Sequence, residues 1–81
     1  MDDGAWAIIV ELQLRPGARF EVITGTRAAF TLLTTRWPST SGQAFFRAQE
    51  LCLAALDNRM THEVARAAFI AAAREAGLSM R

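Results

Sequence analysis

An α+β fold with the element order ββααα is predicted by three features of this 81-residue sequence. Residues 8–24 hold two short runs of alternating apolar and polar residues on either side of a Pro-Gly turn. Residues 26–77 hold three segments with helical apolar spacing, punctuated by Pro38 and Asn58. Only residues 58–61 separate the last two segments, which makes them an antiparallel helical hairpin.

Taken in order, residues 1–5 are expected to be a loose end of a single domain spanning 1–81. From Ile8 the alternation puts Ile8, Val10, Leu12 and Leu14 on one side and Ile9, Glu11 and Gln13 on the other. Pro16-Gly17 supplies a turn, since proline presets φ and glycine tolerates positive φ. In the second run, Phe20 and Val22 share one face; Arg19, Glu21 and Ile23 share the other. Pairing Leu14 with Phe20 and Leu12 with Val22 keeps one face apolar. The alternative sets Leu12 opposite Glu21. A slip of one residue moves every side chain to the other face. The apolar register is therefore expected, with a loop of three or five residues.

Thr26 is placed to cap a first helix carrying Ala29, Phe30, Leu33 and Trp37, and Pro38 ends it. A second helix, Gln43–Asp57, gathers Phe45, Ala48, Cys52, Ala55 and Leu56 on one face, and Asn58 is its left-handed stop. Gln43, Arg47, Glu50, Ala54 and Asp57 oppose that face. In the third segment, Thr61–Gly77, Thr61 is the N-cap, Glu63 suits the positive end of the dipole and Gly77 closes the helix. Val64, Ala65, Ala68, Phe69, Ala72 and Ala76 form a face of small residues with Phe69 as its large knob. A face of that kind admits a neighbouring helix closely. Ile70 projects instead among Glu63, Arg66 and Arg74. It is expected to be covered by the domain's own core, the alternative being an exposed patch for a partner.

Composition narrows the function classes. The 52% hydrophobic and 21% charged content is that of a folded globular chain. All nine basic residues are arginine, scattered among eight acids at a net charge of +1. That pattern lacks the basic stripe that a phosphate backbone needs, so nucleic acid is disfavoured as a partner. The single Cys52 has no internal disulfide partner. No signal peptide or long apolar run is present, so no membrane is expected and the compartment is read as the cytoplasm of a bacterium.

The chain resembles the small alpha-proteobacterial domain-of-unknown-function family 982. The resemblance spans Trp6–Gly77. It is carried by Trp6, Ala28-Ala29, Leu32-Leu33, Trp37-Pro38, then Ala48, Cys52 and Ala55-Leu56, then Ala65-Arg66, Ala68-Phe69-Ile70, Ala72-Ala73 and Ala76-Gly77. Asn58 departs from an expected glycine, although asparagine takes the same conformation. The resemblance implies a small α+β domain and assigns it no activity.

Few residues carry chemistry. Cys52 sits mid-helix on the apolar face, where a thiol acts as a small hydrophobe. His62 reads as a solvated first-turn residue. With Glu63 and Cys52 it offers too few metal ligands, at no recognised spacing. Trp37 reads as a packing residue. Glu11 is not placed opposite Glu21, and Glu50 and Asp57 stand a heptad apart, so no carboxylate pair forms a general acid and base. Gly25 and Gly42 are isolated and define no phosphate loop. No cofactor is expected. Arg66, near the start of its helix, with Arg59 just before, can hold an anion; alternatively it pairs with Glu63 or Glu50.

The sequence is therefore read as a small non-enzymatic interaction or regulatory domain. Self-association as a homodimer is expected through the sheet edges or through Ile9 and Ile23. The alternative is a weak anion or nucleic-acid binder using Arg59 and Arg66. Arg59, Arg66, Ile70 and Arg74 are the candidate interaction or anion site.

Overall fold

A computed structural model describes residues 4–81; residues 1–3, part of the expected loose end, lie outside the described residues. Gly4 and Ala5 do not belong to a loose end: Gly4 is buried and Ala5 opens the first strand. The elements are β1 (Ala5–Leu12), β2 (Glu21–Gly25), α1 (Thr26–Thr35), α2 (Gln43–Leu56) and α3 (His62–Glu75). This is an α+β fold: an antiparallel hairpin followed by three helices, with α2 and α3 in the most extensive contact.

The hairpin adopts the register that the apolar pattern argued against. Val10 lies opposite Ile23, Glu11 opposite Val22 and Leu12 opposite Glu21. Ile23 is therefore in the core, and Val22 is 50% exposed on the outer face. The charge that this brings beside Leu12 is met from α1. Arg36, the C-cap of α1, grips Glu21 with both terminal nitrogens, at 3.0 Å (Nη1 to Oε2) and 2.5 Å (Nη2 to Oε1). The connection takes up all of residues 13–20, with the expected turn at Arg15–Ala18 and Gly17 at φ 80°.

β1 also departs from strict alternation. Between Ala5, opposite Gly25, and Val10, opposite Ile23, it spends five residues against two. Such an irregularity turns side chains out of phase. Ile8 is 66% exposed as a result, and Trp6, rather than Ile8, joins Val10 and Leu12 in the core. On its other edge β1 is lined by the end of the chain. Leu12 bridges Met80, Gln13 N–H donates to Ser79 O at 2.9 Å, and Arg81 N–H donates to Glu11 O at 3.0 Å.

The core closes on Phe69, which is fully buried between two tryptophans. Its ring centroid is 5.7 Å from that of Trp6 and 5.5 Å from that of Trp37, both tilted as the ring quadrupoles favour. Ala48, Cys52 and Ala55 of α2 and Ala65, Ala68 and Ala72 of α3 are all buried, as the two small-residue faces require. Leu56 and Ala76 are only partly buried and Val64 is exposed, so the apolar faces are narrower than the sequence indicates.

Three helix ends follow local chemistry. Thr61 Oγ1 accepts from Val64 N–H at 3.2 Å. Asn58, at φ 61°, and Gly77, at φ 72°, each close a helix with paired bonds to earlier carbonyls: Arg59 to Ala54 and Asn58 to Ala55, then Leu78 to Ala73 and Gly77 to Arg74. The other helix starts do not. Thr26 is not the cap of α1, because Gly25 holds that position without a side-chain bond. Gly42, at φ 109°, precedes α2, and the carboxylate of Glu75 at the far end of α3 caps it. Glu75 Oε1 accepts from Ala44 N–H and Oε2 from Phe45 N–H, each at 3.1 Å.

Candidate functional site

The residues with reactive or polar side chains are mostly committed within the domain. Cys52 is completely buried, and burial pushes its thiol up to about 12, far from a usable nucleophile. His62 is not simply a solvated residue. It is half-buried, with Nδ1 2.8 Å from the hydroxyl of Thr26. That same hydroxyl accepts from the indole N–H of Trp6 at 3.0 Å. Thr26 is thus a fully buried hub joining β1, α1 and α3, which explains why it does not serve as a helix cap. The space around the hub is tight: a Cβ on Gly4 would stand 2.5 Å from His62 Nδ1 and 2.9 Å from Thr26 Cβ. Among the described residues, no group of three His, Cys, Asp or Glu is placed to hold a metal ion. Among the described residues, no helix is long and apolar enough to cross a membrane.

The four candidate residues named from the sequence are dispersed in role. Arg59 pairs with Asp57 at 2.9 Å across an exposed turn. Arg66 pairs with neither Glu63 nor Glu50; its Nε donates to the backbone carbonyl of Ile8 at 2.7 Å. The two arginines are therefore taken up by different partners. Ile70 is half-buried and packs against the core, and Arg74 is exposed on the last turn of α3. Arg66, Ile70 and Arg74 lie four residues apart in turn along α3, so they share a stripe that Arg59, outside the helix, does not join.

A different surface emerges on α2. Phe46 and Leu53 are each 52% exposed. Seven residues apart, they lie on one stripe of the helix, about 10 Å from each other along its axis. Phe46 is steadied from behind by Phe45, the ring centroids standing 5.2 Å apart edge to face. Arg47 and Glu50 are both exposed beside the stripe. The buried and polar faces of α2 expected from the sequence include neither Phe46 nor Leu53. Their heptad spacing, outside the core face, was the available signal. On the far side of Arg47 a shallow groove runs between α2 and α3, lined by Leu51, Val64, Ala67 and Ala71 among others. A second apolar area covers the sheet, where Ile8, Ile9 and Val22 are exposed.

Comparison with known proteins agrees with this architecture. No curated protein matches the chain. The chain is similar to Agrobacterium tumefaciens protein Atu1219, whose NMR structure comes from the Northeast Structural Genomics Consortium. The two share 32% identity and superpose with a TM-score of 0.76, covering 94% of this chain and 75% of that one. Residues 9–80 match the family described as "Protein of unknown function (DUF982)". With nearly the whole chain matched and the same fold in a relative of this identity, the protein belongs to the DUF982 family.

Proposed function

We propose that the domain is a non-enzymatic interaction module that docks onto another protein surface through the outer face of α2. The observation that carries this reading is the pairing of Phe46 and Leu53, both half exposed on one stripe. Single exposed apolar residues are ordinary, whereas apolar side chains gathered on one face are what a partner surface covers, and Phe46 and Leu53 share one stripe of α2. The internal commitment of Cys52, Thr26 and Glu75 supports the same reading, because it leaves those groups little to do for a substrate. Arg59 and Arg66 are each engaged within the domain, which weakens the case for an anion site built from both.

The test compares wild-type protein with Phe46→Ser/Leu53→Ser in affinity capture from bacterial lysate, after circular dichroism shows both folded. Proteins retained by the wild type and lost by the variant are the expected outcome. Identical retention by the two, with no self-association of the wild type either, overturns the assignment to α2. Salt-dependent retardation of random DNA or RNA in a gel would favour a backbone binder instead.

A further inference from the structure

The α2 surface is self-complementary, and this gives its occupant. Resting on the interaction reading above, we propose that α2 of a second copy of this chain packs antiparallel on the Phe46–Leu53 stripe, about a twofold axis beside Glu50. In a twofold contact, a residue i that meets j is matched by j meeting i. Antiparallel alignment sets Phe46 against Leu53 of the second copy and Leu53 against its Phe46. Each aromatic ring thus meets an aliphatic side chain of the other chain.

Charge fixes the direction. Arg47 and Glu50 lie on the same flank of the stripe, turned about 100° and 40° from Phe46. In an antiparallel helix pair, a flank meets the same flank of its partner. With Phe46 opposite Leu53, Arg47 stands only about 3 Å along the axis from Glu50 of the second copy, within reach of an ion pair. The twofold produces two such pairs. The two Glu50 carboxylates approach each other near the axis, each with an Arg47 of the other chain beside it. A parallel arrangement puts these flanks on opposite sides and forms neither pair. Both groups are available: among the described residues, neither Arg47 nor Glu50 makes an ion pair or hydrogen bond through its side chain. The contact is one helix face, below the roughly 1,200 Å² of a stable interface, so the dimer is weak and forms at high protein concentration.

Sedimentation equilibrium over a concentration series, with a charge exchange, tests the proposal. Arg47→Glu and Glu50→Arg singly should each weaken dimerisation about tenfold, since each makes the cluster one sign. The double exchange should return it to within about threefold of the wild type. These are exposed positions, so the fold is retained. Phe46→Ser/Leu53→Ser should leave a monomer. A wild type that stays monomeric at the highest attainable concentration overturns the proposal, as does a double exchange no better than either single change. If that monomeric wild type still captures a protein that Phe46→Ser/Leu53→Ser loses, the second copy is excluded while the interaction reading stands. If it captures none, both fail.

Discussion

Arg66 on α3 donates from Nε to the carbonyl oxygen of Ile8 at 2.7 Å, joining residues 58 apart in sequence. Ile8 lies in the stretch of β1 between Ala5 and Val10 where pairing with β2 is irregular. The guanidinium supplies the donor that the strand ladder does not. Arg66→Met keeps most of the alkyl stem and removes the donor. It should cost about 1 kcal/mol and speed amide exchange across residues 7–9. Unchanged exchange in that segment would show that the bond does not hold the strand.

Gly42 and Gly17 both have positive φ, at 109° and 80°, but their surroundings differ. A Cβ at Gly17 meets nothing within 4 Å, whereas at Gly42 it would overlap the Glu75 carboxylate that caps α2. Gly17→Ala should therefore cost only backbone strain, about 1 kcal/mol. Gly42→Ala should cost about 1 kcal/mol more, because the cap is displaced as well. Glu75→Ala should account for that excess. Chemical denaturation of the three variants checks the ordering, and equal losses at the two glycines would refute it.

Thr26 serves two partners through one hydroxyl. Thr26→Val preserves shape and leaves the Trp6 indole N–H and His62 Nδ1 without it. A loss of about 2–3 kcal/mol is expected. Thr26→Ser keeps the hydroxyl and gives up one buried methyl, for about 1 kcal/mol. Melting curves of the two variants decide between a polar hub and simple packing: if valine is tolerated as well as serine, the hub contributes nothing.

Alkaline stability isolates Cys52. The chain has no lysine and no tyrosine, so Cys52 is the side chain left to titrate between roughly pH 9 and 12. Burial raises its folded-state value from 9.0 to about 12. The unfolded thiol ionises first, so its contribution is fully present below pH ~9 and is lost as pH rises toward ~12. The slope should approach 1.4 kcal/mol per pH unit at most, roughly. Urea midpoints should fall steadily above pH ~9 in the wild type and stay level in Cys52→Ala. Parallel slopes in both proteins would contradict the assignment.

What was legible in the sequence was local. Thr61, Asn58 and Gly77 act on groups within five residues, and the helical periodicities of α2 and α3 place Ala48, Cys52, Ala68 and Phe69 correctly. What was not legible depends on partners far along the chain. Glu21 could occupy the inner face because Arg36 waits at the end of α1. Thr26 gave up capping because Trp6 and His62 converge on it, from 20 and 36 residues away. The irregularity in β1 put Ile8 outside where strict alternation put it in. For the candidate surface, Arg66 was visible as a cation, but nothing nearby in sequence marked a strand carbonyl as its partner.

The flanking of β1 by residues 79–81 has a consequence for synthesis. The strand leaves the ribosome early, yet Arg81, which bonds Glu11 through both backbone and side chain, follows it by 70 residues. A two-stranded hairpin is marginal alone. Closing so long a loop adds little to the thermodynamic cost, so the delay is one of timing. Until residues 79–81 emerge, Glu11, Leu12 and Gln13 sit on a strand with an open edge, the condition most exposed to pairing with a neighbouring nascent chain. Translation speed through the α3 codons should thus set how much of this protein reaches its native sheet.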